Sequence, residues 1–181
     1  MLLKNTDRRW GAIAQLFHWL MFLLILGAWF AVESHEDFPK GSEERAQWMM
    51  IHKALGTTVF FLVWFRLSAR IGQATPAAIG AASQQFIARF VHVGLYAVMI
   101  AMPMTGLLAS QYFGRPVSWF GLFEIPVFLG EHKDLGKQLM EIHEGLWSAL
   151  VALVLLHAGG ALYHHIVQRD DVLKRMLPWG K

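Results

Sequence analysis

The stretch IHEGLWSALVALVLLHAGGALYHHIV, residues 142–167, decides the fold. It is long enough to cross a hydrocarbon core as a helix, which takes about 20 apolar residues. Two histidines, His143 and His157, stand fourteen residues apart within it. That spacing is almost four helical turns, so both imidazoles project from one face, about 21 Å apart along the axis. The core of a bilayer is about 30 Å thick, which places one imidazole near each membrane surface.

Working outward, three more apolar stretches of similar length precede this one, and the four predicted helices run over 13–32, 48–68, 86–109 and 142–167. Charged residues make up 16% and hydrophobic residues 55% of the 181-residue chain, against about 25% charged in soluble domains. The expectation is an all-α integral membrane four-helix bundle, a single domain over 1–181 without internal repeats. Lys4, Arg8 and Arg9 precede the first apolar run as in a signal peptide. The run is too long for a signal core of 7–15 residues and lacks a small-residue cleavage site, so it is read as a retained helix. Without cysteine there are no disulfides, iron–sulfur clusters or thiol chemistry.

The distribution of charge gives the expected topology. Basic residues gather at the N-terminus, around the loop between the second and third helices as Arg66, Arg70 and Arg89, and in the tail as Arg169, Lys174, Arg175 and Lys181. Between the first two helices the balance reverses, with Glu33, Glu36, Asp37, Glu43 and Glu44 against Lys40 and Arg45. The positive-inside rule then puts both termini in the cytoplasm. The basic balance reflects an inner face against anionic lipid, and nothing in the chain resembles a nucleic-acid module.

Nine histidines in so apolar a chain mark function, because ionisable groups inside a bilayer are costly. With this topology they fall into two layers. His52 and His143 lie toward the periplasmic side; His18, His92 and His157 lie toward the cytoplasmic side. Haem iron takes two neutral imidazoles along its axis, so four histidines in two layers hold two haems, with one histidine to spare. Bundle cores commonly build such sites from facing helices. Gly56, Gly145, Gly159 and Gly160 near these histidines, with Gly27 and Gly94, leave room for a flat macrocycle or serve ordinary helix contacts. A metal transporter also uses intramembrane histidines, but with carboxylates in the same helices; here the acids sit at helix ends. His164 lies two turns beyond His157, where an imidazole suits proton delivery, with Arg66 and Trp19 at similar depth. His164 and His165 read equally as solvated interfacial residues, and Arg66 as a partner of propionates or lipid phosphates.

The chain resembles the bacterial cytochrome b561 family. The resemblance rests on Phe17-His18-Trp19-Leu20, Ile51-His52-Lys53, Trp64-Phe65-Arg66-Leu67, Val91-His92-Val93-Gly94, Met102-Pro103-Met104-Thr105-Gly106, Ile142-His143-Glu144, Leu156-His157-Ala158, Tyr163-His164-His165 and the Asp170-Asp171-Val172-Leu173 tail. It implies two haem b groups in the inner membrane, one ligated by His18 and His157 and the other by His52 and His143. His92 is left in a supporting role or as an alternative ligand of the cytoplasmic haem. One branch of the family is similar to superoxide oxidase, an oxidoreductase that passes electrons from periplasmic superoxide to ubiquinone. Quinone is the expected partner, with His164, Arg66 and Trp19 as its candidate site. Superoxide or a periplasmic redox donor is the electron source, and a lipid-exposed face suits a homodimer. The alternative is a haem-b conduit subunit of a larger dehydrogenase or hydrogenase complex, docked through the acidic 33–45 loop. An anion such as superoxide needs a positive funnel, for which Lys53, Arg115, Lys133 and Lys137 are the available residues.

Overall fold

The computed structural model describes residues 3–179; Lys181, counted above among the basic tail residues, lies outside them. Four long helices account for most of the chain: α1 (Ala12–Ser34), α2 (Glu43–Ile71), α3 (Ala82–Tyr112) and α4 (Lys133–Tyr163), the last continued by a π-helical turn, His164–Gln168. All four are long and apolar enough to cross a membrane. Inside lipid a backbone must bond to itself, and a helix does so within one segment.

The helices outrun their predicted ends, α4 by nine residues. Its opening, Lys133-Asp134-Leu135-Gly136-Lys137, is too polar to register as a membrane segment, yet His132 caps it by accepting the Leu135 N–H at Nδ1 (3.4 Å). His143 therefore sits well inside α4 and does not open it. α2 begins in the same way, with the Ser42 hydroxyl accepting the Arg45 N–H (3.2 Å) and Glu43 and Glu44 in its positive first turn.

The helices associate as two close pairs, α1 with α2 and α3 with α4, joined through α2 and α3. The central core is thin: Met21, Val59, Val63 and Met99, backed by Leu24, Ile25, Leu95, Tyr96 and Ile100. None of these comes from α4, whose buried Leu150 lies outside this cluster.

A short antiparallel hairpin, β1 (Val117–Trp119) with β2 (Phe123–Ile125), lies in the α3–α4 connection, which the sequence reading treats as plain loop. Its turn places Phe120 and Gly121 at φ of 52° and 74°, the left-handed conformations that tight hairpin turns require. The Trp119 indole donates to the Thr58 hydroxyl (3.0 Å), which fastens the hairpin to α2. Gln111, fully buried, clamps the segment that follows β2: its amide donates to Pro126 O (3.1 Å) and its oxygen accepts the Phe128 N–H (2.9 Å).

At the opposite end the two terminal segments are knitted together, so both lie on one side of the bundle. Arg9 donates to Leu177 O (2.8 Å), the Gln15 amide to Trp10 O and Arg175 O (3.1 and 3.2 Å), and the Trp19 indole to Met176 O (3.1 Å). Arg175 in turn reaches Ala77 O between α2 and α3 (2.7 Å).

Removing both bonds of a buried clamp costs about 1–3 kcal/mol. Gln111→Ala is expected to leave the four helices intact and release the 126–128 segment. Hydrogen exchange should show the Phe128 amide losing protection while α3 amides keep theirs.

Candidate functional site

The hairpin end of the bundle holds a cavity of 440 Å³ between the helix pairs. His52 from α2 and His143 from α4 face each other in it, ring centroids 6.1 Å apart and planes nearly perpendicular. Each imidazole is oriented by its backbone surroundings. His52 donates from Nδ1 to Ala28 O of α1 (2.8 Å), and His143 donates from Nδ1 to Met102 O of α3 (2.8 Å). A carbonyl can only accept, so both rings carry their proton on Nδ1 and keep the Nε2 lone pair uncommitted. This is the arrangement in which imidazoles ligate metals, with Nδ1–H held by a backbone oxygen.

Close approach makes the second bond possible. A side chain at Gly106 would place its Cβ 3.0 Å from His143 Cε1 and Nδ1, so the ring lies against bare backbone there. Pro103, next to Met102, lacks an N–H and so leaves the Met99 carbonyl without its helical donor. The flagged glycines divide. Gly56, Gly145, Gly159 and Gly160 face open space, whereas Gly94 packs against Leu153 (3.1 Å) and Gly27 against Leu55 (3.4 Å). Of the first group only Gly56 lines the cavity, whereas Gly145, Gly159 and Gly160 are exposed; the second group brings helices together.

The mouth of this cavity is lined by Glu33, His35, Glu36 and Glu144, with Lys53 as the one basic lining residue. Three carboxylates against one lysine make an acidic rim. Trp29 and Trp147 stack across it, centroids 6.1 Å apart. Lys133, Lys137 and Arg115, named above for a positive funnel, are not among the lining residues.

Toward the end that carries the termini, a second layer gathers three imidazoles. His157 of α4 lies 5.8 Å from His18 of α1 and 5.3 Å from His92 of α3, between ring centroids. The hydrogen bonding differs from the first layer. Arg66 donates from Nη2 to His18 Nδ1 (3.1 Å), so neutral His18 carries its proton on Nε2. For His18 to offer a lone pair at Nε2, the proton must move to Nδ1 and Arg66 must turn away. His92 and His157 are under no such restraint. Arg66 also lies over the Tyr96 ring, 5.5 Å from its centroid, and Trp19 meets His18 edge-on at 5.1 Å.

Arg66 and Trp19 thus flank His18, but the bonds of His164 lead elsewhere. Its Nδ1 pairs with Asp170 Oδ2 at 2.6 Å. Asp170, Gly106 and the two carbonyl acceptors escaped the sequence reading. The first two lie in motifs already quoted, the Asp170-Asp171 tail and Met102–Gly106; the carbonyls have no sequence signal. Among the described residues no group of three or more His, Cys, Asp or Glu side chains is placed to hold a bare metal ion, so the transporter reading lacks a donor set.

These features fit a haem. Two imidazoles sharing one metal atom, each nitrogen about 2 Å from it, hold their centroids about 6 Å apart, as His52 and His143 do. The wide cavity beside them is lined mainly by apolar side chains such as Ile25, Val59, Val98 and Leu150.

Comparison with known proteins agrees. Cytochrome b561 homolog 2 of Escherichia coli (strain K12) is 31% identical, covering 98% of this chain and 95% of its own. Cytochrome b561 homolog 1 of the same organism is 30% identical over 89% of this chain and 92% of its own. A probable superoxide oxidase CybB of Yersinia pestis is 32% identical over 89% and 91%. Residues 9–179 match the family described as prokaryotic cytochrome b561. The chain belongs to that family: it is a multi-pass membrane protein of electron transfer, and its membership implies haem b.

Proposed function

We propose that the protein holds two haem b groups in the inner membrane and moves electrons between a periplasmic donor and ubiquinone. Superoxide is the specific donor we favour. The observation that carries this reading is the facing pair His52 and His143, each with Nδ1–H on a backbone carbonyl and Nε2 free. His18 and His157 form the second pair, with His92 as the alternative to His18. Haem b, when bound, takes up and releases one electron at a time.

The chain's own residues have distinct tasks. Ala28 O and Met102 O fix the first two imidazoles in the ligating tautomer. Arg66 controls His18 through Nδ1. The hairpin end faces the periplasm in this reading, and Lys53 beside His52 is the cation that would hold an anionic donor. At the other end Trp19, Arg66 and His164 serve the quinone, His164 giving a proton to a quinone oxygen.

Superoxide is supported by the likeness to the probable superoxide oxidase and by Lys53 inside the cavity. The acidic rim supports a second reading, in which a basic redox protein docks at Glu33, Glu36 and Glu144 and the chain acts as a conduit. Purified protein mixed with superoxide and ubiquinone-1 decides between them. Reduction of the α band by superoxide, insensitive to catalase, supports the first reading. An α band that responds to dithionite but not to superoxide overturns it in favour of the conduit.

Haem quantitation tests the ligands. His52→Ala and His143→Ala should each lower the haem-to-protein ratio from two to one, and Gly106→Val should act in the same direction by displacing His143. His92→Ala should retain both haems. Loss of one haem in that variant assigns His92, not His18, as the partner of His157.

A further inference from the structure

The end that carries the termini contains a hydrogen-bonded pair not yet given a task. We infer that Asp170 is a positioning residue for quinone protonation, holding the His164 imidazole in the single tautomer and orientation from which its Nε2 faces the quinone. The inference rests on the quinone reading of His164 given above.

Local backbone geometry builds the pair. α4 ends at Tyr163 and the chain continues for one π-helical turn, His164–Gln168, a wider winding that is rare and recurs at functional sites. Arg169 then takes the left-handed conformation, φ 54° and ψ 34°, which a residue with a long side chain seldom adopts. The reversal lets the Asp170 N–H donate back to His164 O (3.2 Å) and swings the Asp170 side chain over the imidazole. Such a conformation is strained and persists only where its surroundings over-determine it.

Asp170 is itself held at both oxygens. Oδ2 accepts from His164 Nδ1 (2.6 Å) and Oδ1 accepts the Val172 N–H (3.0 Å). The pair is largely covered, with side-chain exposures of 14% for His164 and 19% for Asp170. The charged groups facing the carboxylate are His164 and Arg175. Burial works against the carboxylate's charge, but the His164 and Val172 hydrogen bonds and the nearby Arg175 hold its pKa below the usual range. It therefore stays ionised, and an acceptor, at any pH where the protein works.

An ionised carboxylate can only accept, so His164 must carry a proton on Nδ1. The other nitrogen, Nε2, is the one left to bind and release a proton. When it gives that proton to a quinone oxygen, Nδ1–H stays on Asp170 and the ring remains in the tautomer ready to be recharged. Freed of the carboxylate, the ring would rotate and divide between tautomers, and in part of the population Nε2 would no longer point at the quinone.

The test uses the purified holoprotein and ubiquinone-1. Protein reduced with dithionite is mixed with ubiquinone-1 and its reoxidation followed in the α band, while ring-15N histidine spectra report where the His164 proton sits. Asp170→Ala is expected to keep its haem content, lower the limiting rate about tenfold, leave the half-saturating quinone concentration within twofold, and lose the single Nδ1–H tautomer of His164. Asp170→Asn, which retains an acceptor oxygen, should recover most of the rate. Adding Asp170→Ala to His164→Gln should cause no further loss, since the two act as a unit. A wild-type limiting rate in Asp170→Ala overturns the inference, as does a slowed rate with the His164 tautomer unchanged. If His164→Gln itself reoxidises at the wild-type rate, the quinone reading of His164 falls and this inference with it. If His164→Gln is slow and Asp170→Ala is not, only the role of Asp170 is lost.

Discussion

A neutral imidazole inside a bilayer has one N–H and one lone pair, and the structure is organised around where each of these points. In hydrocarbon an unmatched polar group costs several kcal/mol, and a helix has already committed its backbone to itself. His52 and His143 meet the constraint by donating to carbonyls of neighbouring helices, Ala28 on α1 and Met102 on α3. Each ring is therefore owned jointly by two helices, and each bond lies within one close pair, α1 with α2 for His52 and α3 with α4 for His143. The Nε2 lone pairs that remain have no hydrogen-bond partner among the described residues, and the two rings lie 6.1 Å apart between centroids.

The thin core follows from the same arrangement. An ordinary four-helix bundle brings apolar side chains from every helix to its axis, but here α4 adds none to the Met21, Val59, Val63 and Met99 cluster. The space that packing would fill is instead a cavity lined by α1, α2, α3 and α4, with the imidazoles on its walls. In the proposed reading a haem fills that space and acts as part of the core. The two layers are built differently. One is preset by carbonyls, while the other has three rings and an arginine on the Nδ1 of His18.

The layers themselves were legible in the sequence because helical periodicity converts spacing into depth: His143 and His157 stand fourteen residues apart, with His52 early in α2, which runs the same way as α4, and His18 and His92 early in α1 and α3, which run the other way. The identity of the partner helices' polar contacts was not legible. Ala28 and Met102 contribute through their carbonyls, which every residue carries, so no side-chain pattern marks them. The early start of α4 was hidden because hydropathy reports only the part of a helix that lies in lipid. The hairpin at 117–125 was missed because three-residue strands are too short to show alternation. The acidic rim shows charges whose meaning only the fold decides: Lys133 and Lys137 are near His143 along the chain but do not line the cavity, whereas Glu33 and Glu36 do. His164 was found from its spacing, but Asp170 pairs with it only because a π-helical turn and a left-handed Arg169 bring the chain back on itself.

The knitting of the terminal segments has a consequence for biosynthesis. Gln15 and Trp19, in the first helix to enter the membrane, donate to Arg175 and Met176, which emerge from the ribosome only after the fourth helix. Until then the α1 side chains must be served by water and lipid headgroups, and α1 can neither settle at its final depth nor fix the orientation of His18. Insertion of the four helices and closure of the bundle are thus separate events, and the short 175–177 segment is the latch that divides them.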